Sequence, residues 1–427
     1  MKISTMTRNI IHSVASNFAR EVATSLGQIL LVPLYISVFS SNDYGIWLLL
    51  TSYTSFVVLA DFGLSTAIIV KIQENKSGEI HVKNILWSEF KSVTRKIALF
   101  ICLLVITIVF YYFKSYGHKY HELSFYLFLT FCFLTLSLQT LEQHFILYQY
   151  QILDKYDKGM KILFKFRVVE IVITYLALLM EFKMLFILIL ISLVRQVFIF
   201  IEKRKNFNET FLAEDHSSGN VSNLLKEIWK PAVGNGLISV SILLGIHGTF
   251  AVAGFWADSS SLVSIALARM LVSPIRLVSA SLAAGSLPHL IKLDKEAEAV
   301  RRIANFNFRF ALGYLSVVSF IALGVYSSSK LIWTFLSKGI SDFPSTLVLL
   351  FVVSVALDAI CLLRIQFPMA QNSTFRLGVI YLATTCFSLM FQPLLSEYFR
   401  LNSVPISNIV ADALFLVITL ALRRIFK

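Results

Sequence analysis

Charge is scarce in this sequence. Asp, Glu, Lys and Arg make up 15% of the 427 residues, while hydrophobic residues make up 57%. A water-soluble chain of this length carries about 25% charged residues, so the shortfall excludes a soluble globule. Cysteine is scarce as well. Cys102, Cys132, Cys361 and Cys386 all fall inside apolar runs and form no C-x-x-C pair. A disulfide framework and a cysteine metal site are excluded, and these four read as small apolar packing residues. There is no Gly-rich loop followed by Lys to cradle nucleotide phosphates, and no His-Glu-x-x-His. Neither ATP hydrolysis nor any metal or cofactor is expected. Long loops are lacking on one side: the longest there, from Ser329 to Pro344, is too short for a folded domain. A cleavable leader is not expected, because Lys2 and Arg8 precede a run that contains Arg20 and Glu21 and has no clear small-residue cleavage site.

What the sequence does have is long apolar runs. A helix needs about 20 mainly apolar residues to cross the hydrocarbon core. Twelve runs qualify, at roughly 10–39, 44–70, 96–113, 123–149, 162–181, 183–201, 231–256, 260–286, 306–328, 345–370, 375–396 and 404–422. With the N-terminus inside, Lys and Arg divide 27 to 6 in favour of the inner side, and the other five of the 38 lie within spans. This is the positive-inside pattern, so a multi-pass protein with both termini cytoplasmic is expected. It also accounts for the net charge of +13 without nucleic acid as a partner. The five Trp lie near span ends, as interfacial anchors do. The longest polar stretch, Glu202 to Lys230, divides the spans six and six. The expected domains are therefore an N-terminal six-helix lobe (1–202), a cytoplasmic linker (203–230) and a C-terminal six-helix lobe (231–427). The fold class is an all-α polytopic membrane protein with about twelve transmembrane helices.

The second span carries Asp61 inside an apolar run. A carboxylate at a helix centre costs about 2.5–3.5 kcal/mol on insertion scales, so Asp61 must face protein or a watery cavity and needs a partner. Gly63 nearby lets a neighbouring helix approach closely. Leu31-Val32-Pro33-Leu34-Tyr35, Tyr44-Gly45-Ile46-Trp47 and Leu59-Ala60-Asp61-Phe62-Gly63-Leu64 with Ala67 resemble the N-terminal signature of O-antigen and polysaccharide flippases of the Wzx type. Those belong to the multidrug, oligosaccharidyl-lipid and polysaccharide exporter superfamily. The resemblance covers about the first 70 residues. It implies two six-helix lobes around a central cavity in a bacterial inner membrane. It also implies a lipid-linked oligosaccharide as substrate, carried from the cytoplasmic to the periplasmic leaflet. Membrane lipid and other polysaccharide-assembly proteins are the further partners it implies.

Eleven charges lie well inside the spans: Arg20, Glu21, Asp61, Glu142, Glu170, Arg195, Arg269, Arg276, Asp358, Arg364 and Asp412. Arg269 and Arg276 are seven apart, about two turns, and so share a helix face. A guanidinium matches phosphate oxygens and stays charged. The two either bind substrate, holding a pyrophosphate or an acidic sugar, or pair structurally with Asp358 or Asp412; Arg276 alternatively snorkels to the surface. Arg20 and Asp61 fall at similar depth on consecutive spans and form a candidate gate or ion pair. Glu142, Glu170, Asp358 and Asp412 are candidates for ion coupling, with structural pairing as the alternative for each. Arg195 and Arg364 are expected to snorkel. His247 is read as a helix–helix hydrogen bonder. Two other functions stay open: a cation-coupled multidrug exporter, and a membrane enzyme of polysaccharide assembly, either a polymerase or an acyltransferase. A polymerase would show a large external loop, and the external His118 and His121 belong to no acyltransferase motif.

Overall fold

A computed structural model describes residues 27, 30–39, 41–61, 63–65, 67, 68, 80–116, 123–152, 156–210, 221–293, 299–337, 342–371 and 373–421. Among the described residues the chain is helical, with no strand. After a helical stretch at 30–38 come α1 (Ser41–Ser55), a 3-10 turn (Phe56–Asp61), α2 (Ile80–Tyr116), α3 (Leu123–Ile152), α4 (Tyr156–Leu179) and α5 (Met184–Thr210). Then α6 (Val221–Leu243) runs through a π-turn (Leu244–Gly248) into the short α7 (Thr249–Ala253). The rest are α8 (Ser259–Leu293), α9 (Ala299–Ser337), α10 (Ser345–Ala370), α11 (Phe375–Phe399) and α12 (Ser403–Ala421).

Nine stretches of the described residues are long and apolar enough to cross a membrane. The ninth, Phe375–Ala421, contains both α11 and α12. The α4 helix is not among them, since Lys161, Lys165, Arg167 and Glu170 interrupt it. Most of the expected first span lies outside the described residues. From the third span onward each expected run falls on a helix. The helices outrun their apolar parts, because hydrogen bonding continues into the charged turns that the hydropathy reading leaves out. In α8 the apolar run ends near residue 286 and the helix at Leu293; in α9 the helix starts at Ala299 and the apolar run near residue 306.

The outer faces are apolar. Phe100, Leu103, Phe320, Leu323, Leu331 and Met390 are all exposed. In water such a surface would aggregate, and in lipid it is the expected one. The apolar part of α9 is only 11% buried, against 65% for Asp43–Asp61, so α9 lies at the lipid boundary and α1 inside.

The chain divides into two compact units. One is Ile46–Ser239; the other is Val240–Lys427 with Met1–Gly45. In the first unit, α3 packs on α2, α4 and α5. Its contacts include Ile146, Tyr150 and Ile199 in one cluster and a stacked Phe166–Phe198 pair at 4.2 Å. Gly63 closes the expected second span in a left-handed conformation (φ +70°). A Cβ there would lie 2.3 Å from Gly236 N and 2.7 Å from Ala232 O. Backbone therefore meets backbone, as the expectation of close approach required. In the second unit α8 packs on α9 and α10, and α11 on α12.

Candidate functional site

The second unit gathers most of the intramembrane charge singled out above. On α8, Arg276 Nε donates to Asp358 Oδ2 of α10 at 3.1 Å. The Tyr381 hydroxyl, from α11, lies 3.4 Å from Asp358 Oδ1 and 3.3 Å from Asp412 Oδ1 of α12. Four helices thus converge on two carboxylates, one phenol and one guanidinium. Tyr381 is fixed by its tilted packing on Phe415 at 4.5 Å. Asp412 is fixed through its own carbonyl, which accepts from Cys361 Sγ at 3.7 Å. A small cavity opens among these groups, lined also by Ser241 and Gly245. Polar side chains in its wall, Asp358, Asp412 and Tyr381 with Ser241, supply the several partners that a bound water or small cation needs.

Gly245 and His247 lie on the π-turn, a distortion that widens the helix by one residue and often marks a functional place. His247 is within electrostatic reach of both Arg269 and Arg276. Among the described residues its Nδ1 has no hydrogen-bond partner. Arg269 sits with its guanidinium 5.6 Å from the centre of the Phe250 ring, a cation–π contact. Among the described residues no carboxylate pairs with Arg269. Of the two arginines on that face, Arg276 is paired with a carboxylate and Arg269, among the described residues, is not.

The first unit holds the other charges. Asp61 Oδ1 accepts from the Ser65 N–H at 2.9 Å, and Oδ2 accepts from the Tyr148 hydroxyl at 3.1 Å and from Ser65 Oγ. Its expected partner Arg20 lies outside the described residues. Glu142 holds Arg95 (2.9 Å) on one oxygen and Lys203 (2.7 Å) on the other. Glu170 holds Arg167 (2.7 Å) and Arg195 (2.6 Å). Arg195 therefore does not snorkel. Its Nη1 also donates to Thr140 Oγ1 and to the Leu136 carbonyl, so it ties α3, α4 and α5 together. Nor does Arg364 reach for the surface alone: it donates to the Thr419 carbonyl at 3.4 Å.

Tyr381 and Tyr148 were missed in the sequence. A tyrosine in an apolar run gives no single-sequence signal, because its partner is chosen by helix packing. Arg167, Arg95 and Lys203 belong to the inner-side charge of the sequence, and the helices extend far enough to bring them onto Glu170 and Glu142.

No protein-family profile and no curated protein matches the sequence. Solved structures do. A point mutant of the Vibrio cholerae MATE transporter VcmN aligns over 99% of this chain and 98% of its own, with TM-score 0.64 and 12% identity. The fold is that of the MOP-superfamily transporters. A MOP-superfamily transporter from Pyrococcus furiosus, reported with a binding pocket of reversed polarity, aligns over 99% and 97% with TM-score 0.66 and 13% identity. An outward-facing multidrug-resistance MATE transporter aligns over 98% and 95% with TM-score 0.63 and 13% identity. At these identities the MOP likeness concerns the fold, which is all-α and polytopic.

Proposed function

We infer that this protein is a transporter of the bacterial inner membrane that flips a lipid-linked oligosaccharide by alternating access. Its two lobes, 1–202 and 231–427, are joined by residues 203–230, and both termini are cytoplasmic. The observation that carries the substrate class is Arg269. A guanidinium inside the membrane is costly, and this one rests on an aromatic face with no carboxylate paired to it among the described residues. It sits beside an imidazole whose Nδ1 has no hydrogen-bond partner among the described residues, and two turns along the same helix face from a second arginine. That set suits the phosphates of a polyprenyl-pyrophosphate carrier. The Pyrococcus furiosus transporter's reversed pocket polarity gives a precedent for variation of charge within this fold.

The driving step uses Arg276, Asp358 and Asp412. Two carboxylates against one guanidinium leave a formal charge of −1, which one proton or one monovalent cation cancels. Tyr381 has a single proton to donate, so it satisfies one carboxylate at a time. Loading the pair frees Arg276 from part of its attraction to Asp358, which lets it turn to an anionic substrate. Unloading restores the ion pair. The same carboxylates suit a cation-coupled drug exporter; Arg269 weighs against that reading, because it repels a cationic drug.

The test is reconstitution into liposomes with a polyprenyl-pyrophosphate oligosaccharide and a read-out of leaflet exposure. Arg269→Gln is expected to lower the flipping rate at least tenfold in monodisperse protein, and Arg269→Lys to restore part of it. Full-rate flipping by both variants would refute the reading. Export of a cationic dye with no oligosaccharide flipping would assign the protein to drug export.

A further inference from the structure

Away from that site, one charged group belongs to no step of the proposed cycle. It lies in the first unit, where α2, α3 and α5 end on a common side. The apolar run of α2 opens near residue 96, that of α3 closes near residue 149 and that of α5 closes near residue 201. At this level Glu142 of α3 binds one cation on each oxygen. Arg95 uses Nε and Nη2 on Oε1, and Lys203 uses Nζ on Oε2. Lys91 lies one turn before Arg95, within electrostatic reach of all three groups.

The carboxylate is mostly covered (22% exposed), while Arg95 and Lys203 are half exposed (54% and 50%). Glu142 thus fixes two cations from behind and leaves their outer N–H donors turned away from it. Three cations on one carboxylate leave a net charge of +2. Glu202 of α5 is buried and accepts from the Tyr150 hydroxyl.

Next to these donors the surface is apolar. Leu99 and Leu103 follow Arg95 on α2 at helical spacing, 60% and 66% exposed. Val197 and Phe200 precede Lys203 on α5, 59% and 64% exposed. The arrangement is cationic donors at the membrane surface with bare hydrocarbon-facing side chains immediately below. An acyl chain fills the second and a phosphate fills the first. A soluble anion would use only half of it.

We propose that Lys91, Arg95 and Lys203, braced by Glu142, bind the phosphate headgroup of an anionic membrane lipid, whose acyl chains lie along the exposed apolar faces of α2 and α5. Glu142 is a positioning residue: it holds the donors and does not itself touch the lipid. This site is separate from Arg269 and does not depend on what the protein transports.

The experiment uses the full chain, purified and delipidated in neutral detergent. Phosphatidylglycerol or phosphatidylcholine is titrated in, and bound lipid is counted by native mass spectrometry. Each unit of net positive charge near a lipid surface strengthens anionic binding by about fivefold, so a formal charge of +2 on these four groups predicts a preference for phosphatidylglycerol of about 25-fold. Arg95→Gln should cut the preference to about fivefold, Arg95→Gln with Lys203→Gln should erase it, and Arg95→Lys should keep it. Lys183→Gln, at the opposite end of α5, should leave it unchanged. If the double variant aggregates, Arg95→Gln alone decides. Equal binding of the two lipids to the native protein would overturn the proposal, as would a preference that survives in a monodisperse double variant. An equal loss in Lys183→Gln would also overturn it, since bulk charge would then be the cause. Displacement of the lipid by inorganic phosphate, beyond that by chloride at matched ionic strength, would assign the cluster to a free anion instead.

Discussion

Gly63→Ala is the sharpest test of the packing. Two costs add. A residue with a Cβ at φ +70° is strained by about 1–2 kcal/mol. The new methyl would also sit 2.3 Å from Gly236 N and 2.7 Å from both Ala232 O and Asn235 C. All three are backbone atoms of α6, so no rotamer change relieves the overlap. Overpacking of this kind costs about 1–3 kcal/mol, giving a total of roughly 2–5 kcal/mol. At about 2 °C per kcal/mol for a large chain, the melting temperature should fall by about 4–10 °C. The protein carries its own reporter. Cys102 and Cys361 are free and buried, so a thiol-reactive dye reads their exposure as the fold melts. Gly324→Ala is the control: a Cβ there meets nothing within 4 Å, and Ala in a helix is favoured by about 1 kcal/mol over Gly. It should melt no lower than the native protein. A Gly63→Ala protein that melts within about 1 °C of native would refute the backbone-to-backbone contact.

Three other outcomes are expected. Arg276→Gln leaves Asp358 and Asp412 facing Tyr381 without a cation, and should destabilise by about 3 kcal/mol, the low end for a broken buried pair because Arg276 is 27% exposed. Adding Asp358→Asn should recover most of that loss; additive melting shifts would show that the two do not interact. Glu170→Gln strands Arg167 and Arg195 against each other and should cost about 3–5 kcal/mol in melting assays. Arg167→Gln in that background should relieve part of it, and no relief would refute the shared-carboxylate account. Asp258 precedes α8 in a loop outside the apolar segments, and hydrogen bonds from Ser260 and then Ser261 hold its carboxyl below the usual range. A carboxyl whose folded value is lowered stabilises above its unfolded value, near 4, and loses that contribution as pH falls through the lower folded value. Asp258→Ala should therefore cost about 1 kcal/mol at neutral pH, with the gap closing below about pH 4. A gap that does not change with pH would refute the capping role.

The helices were legible because a span must hide its backbone from lipid, which leaves a long apolar signature. What broke them was not. The 3-10 turn at Phe56–Asp61 and the π-turn at Leu244–Gly248 sit in apolar sequence with no proline to mark them. The buried charges were legible as groups that must have partners. Their partners were not, because pairing depends on which helix faces meet and at what height. Asp61 illustrates the gap. The sequence offered Arg20 at matching depth, while the described structure satisfies the carboxylate with Ser65 and Tyr148, two hydroxyls that carry no charge signal. Arg195 illustrates it again: judged by its distance from a span end it belonged at the surface, and judged by its neighbours Glu170 and Thr140 it belongs inside.

The continuation of α8 and α9 past their apolar parts has a practical consequence. From residue 286 to Leu293 and from residue 306 back to Ala299 the two helices each extend about 10 Å further. Such a stem of two helix ends reaches beyond the apolar part that a detergent belt covers. In electron micrographs it gives each particle a direction, so images of a small protein can be aligned. Grafted to a rigid soluble helical partner, the same stem would serve as a handle that leaves the membrane-buried charges untouched.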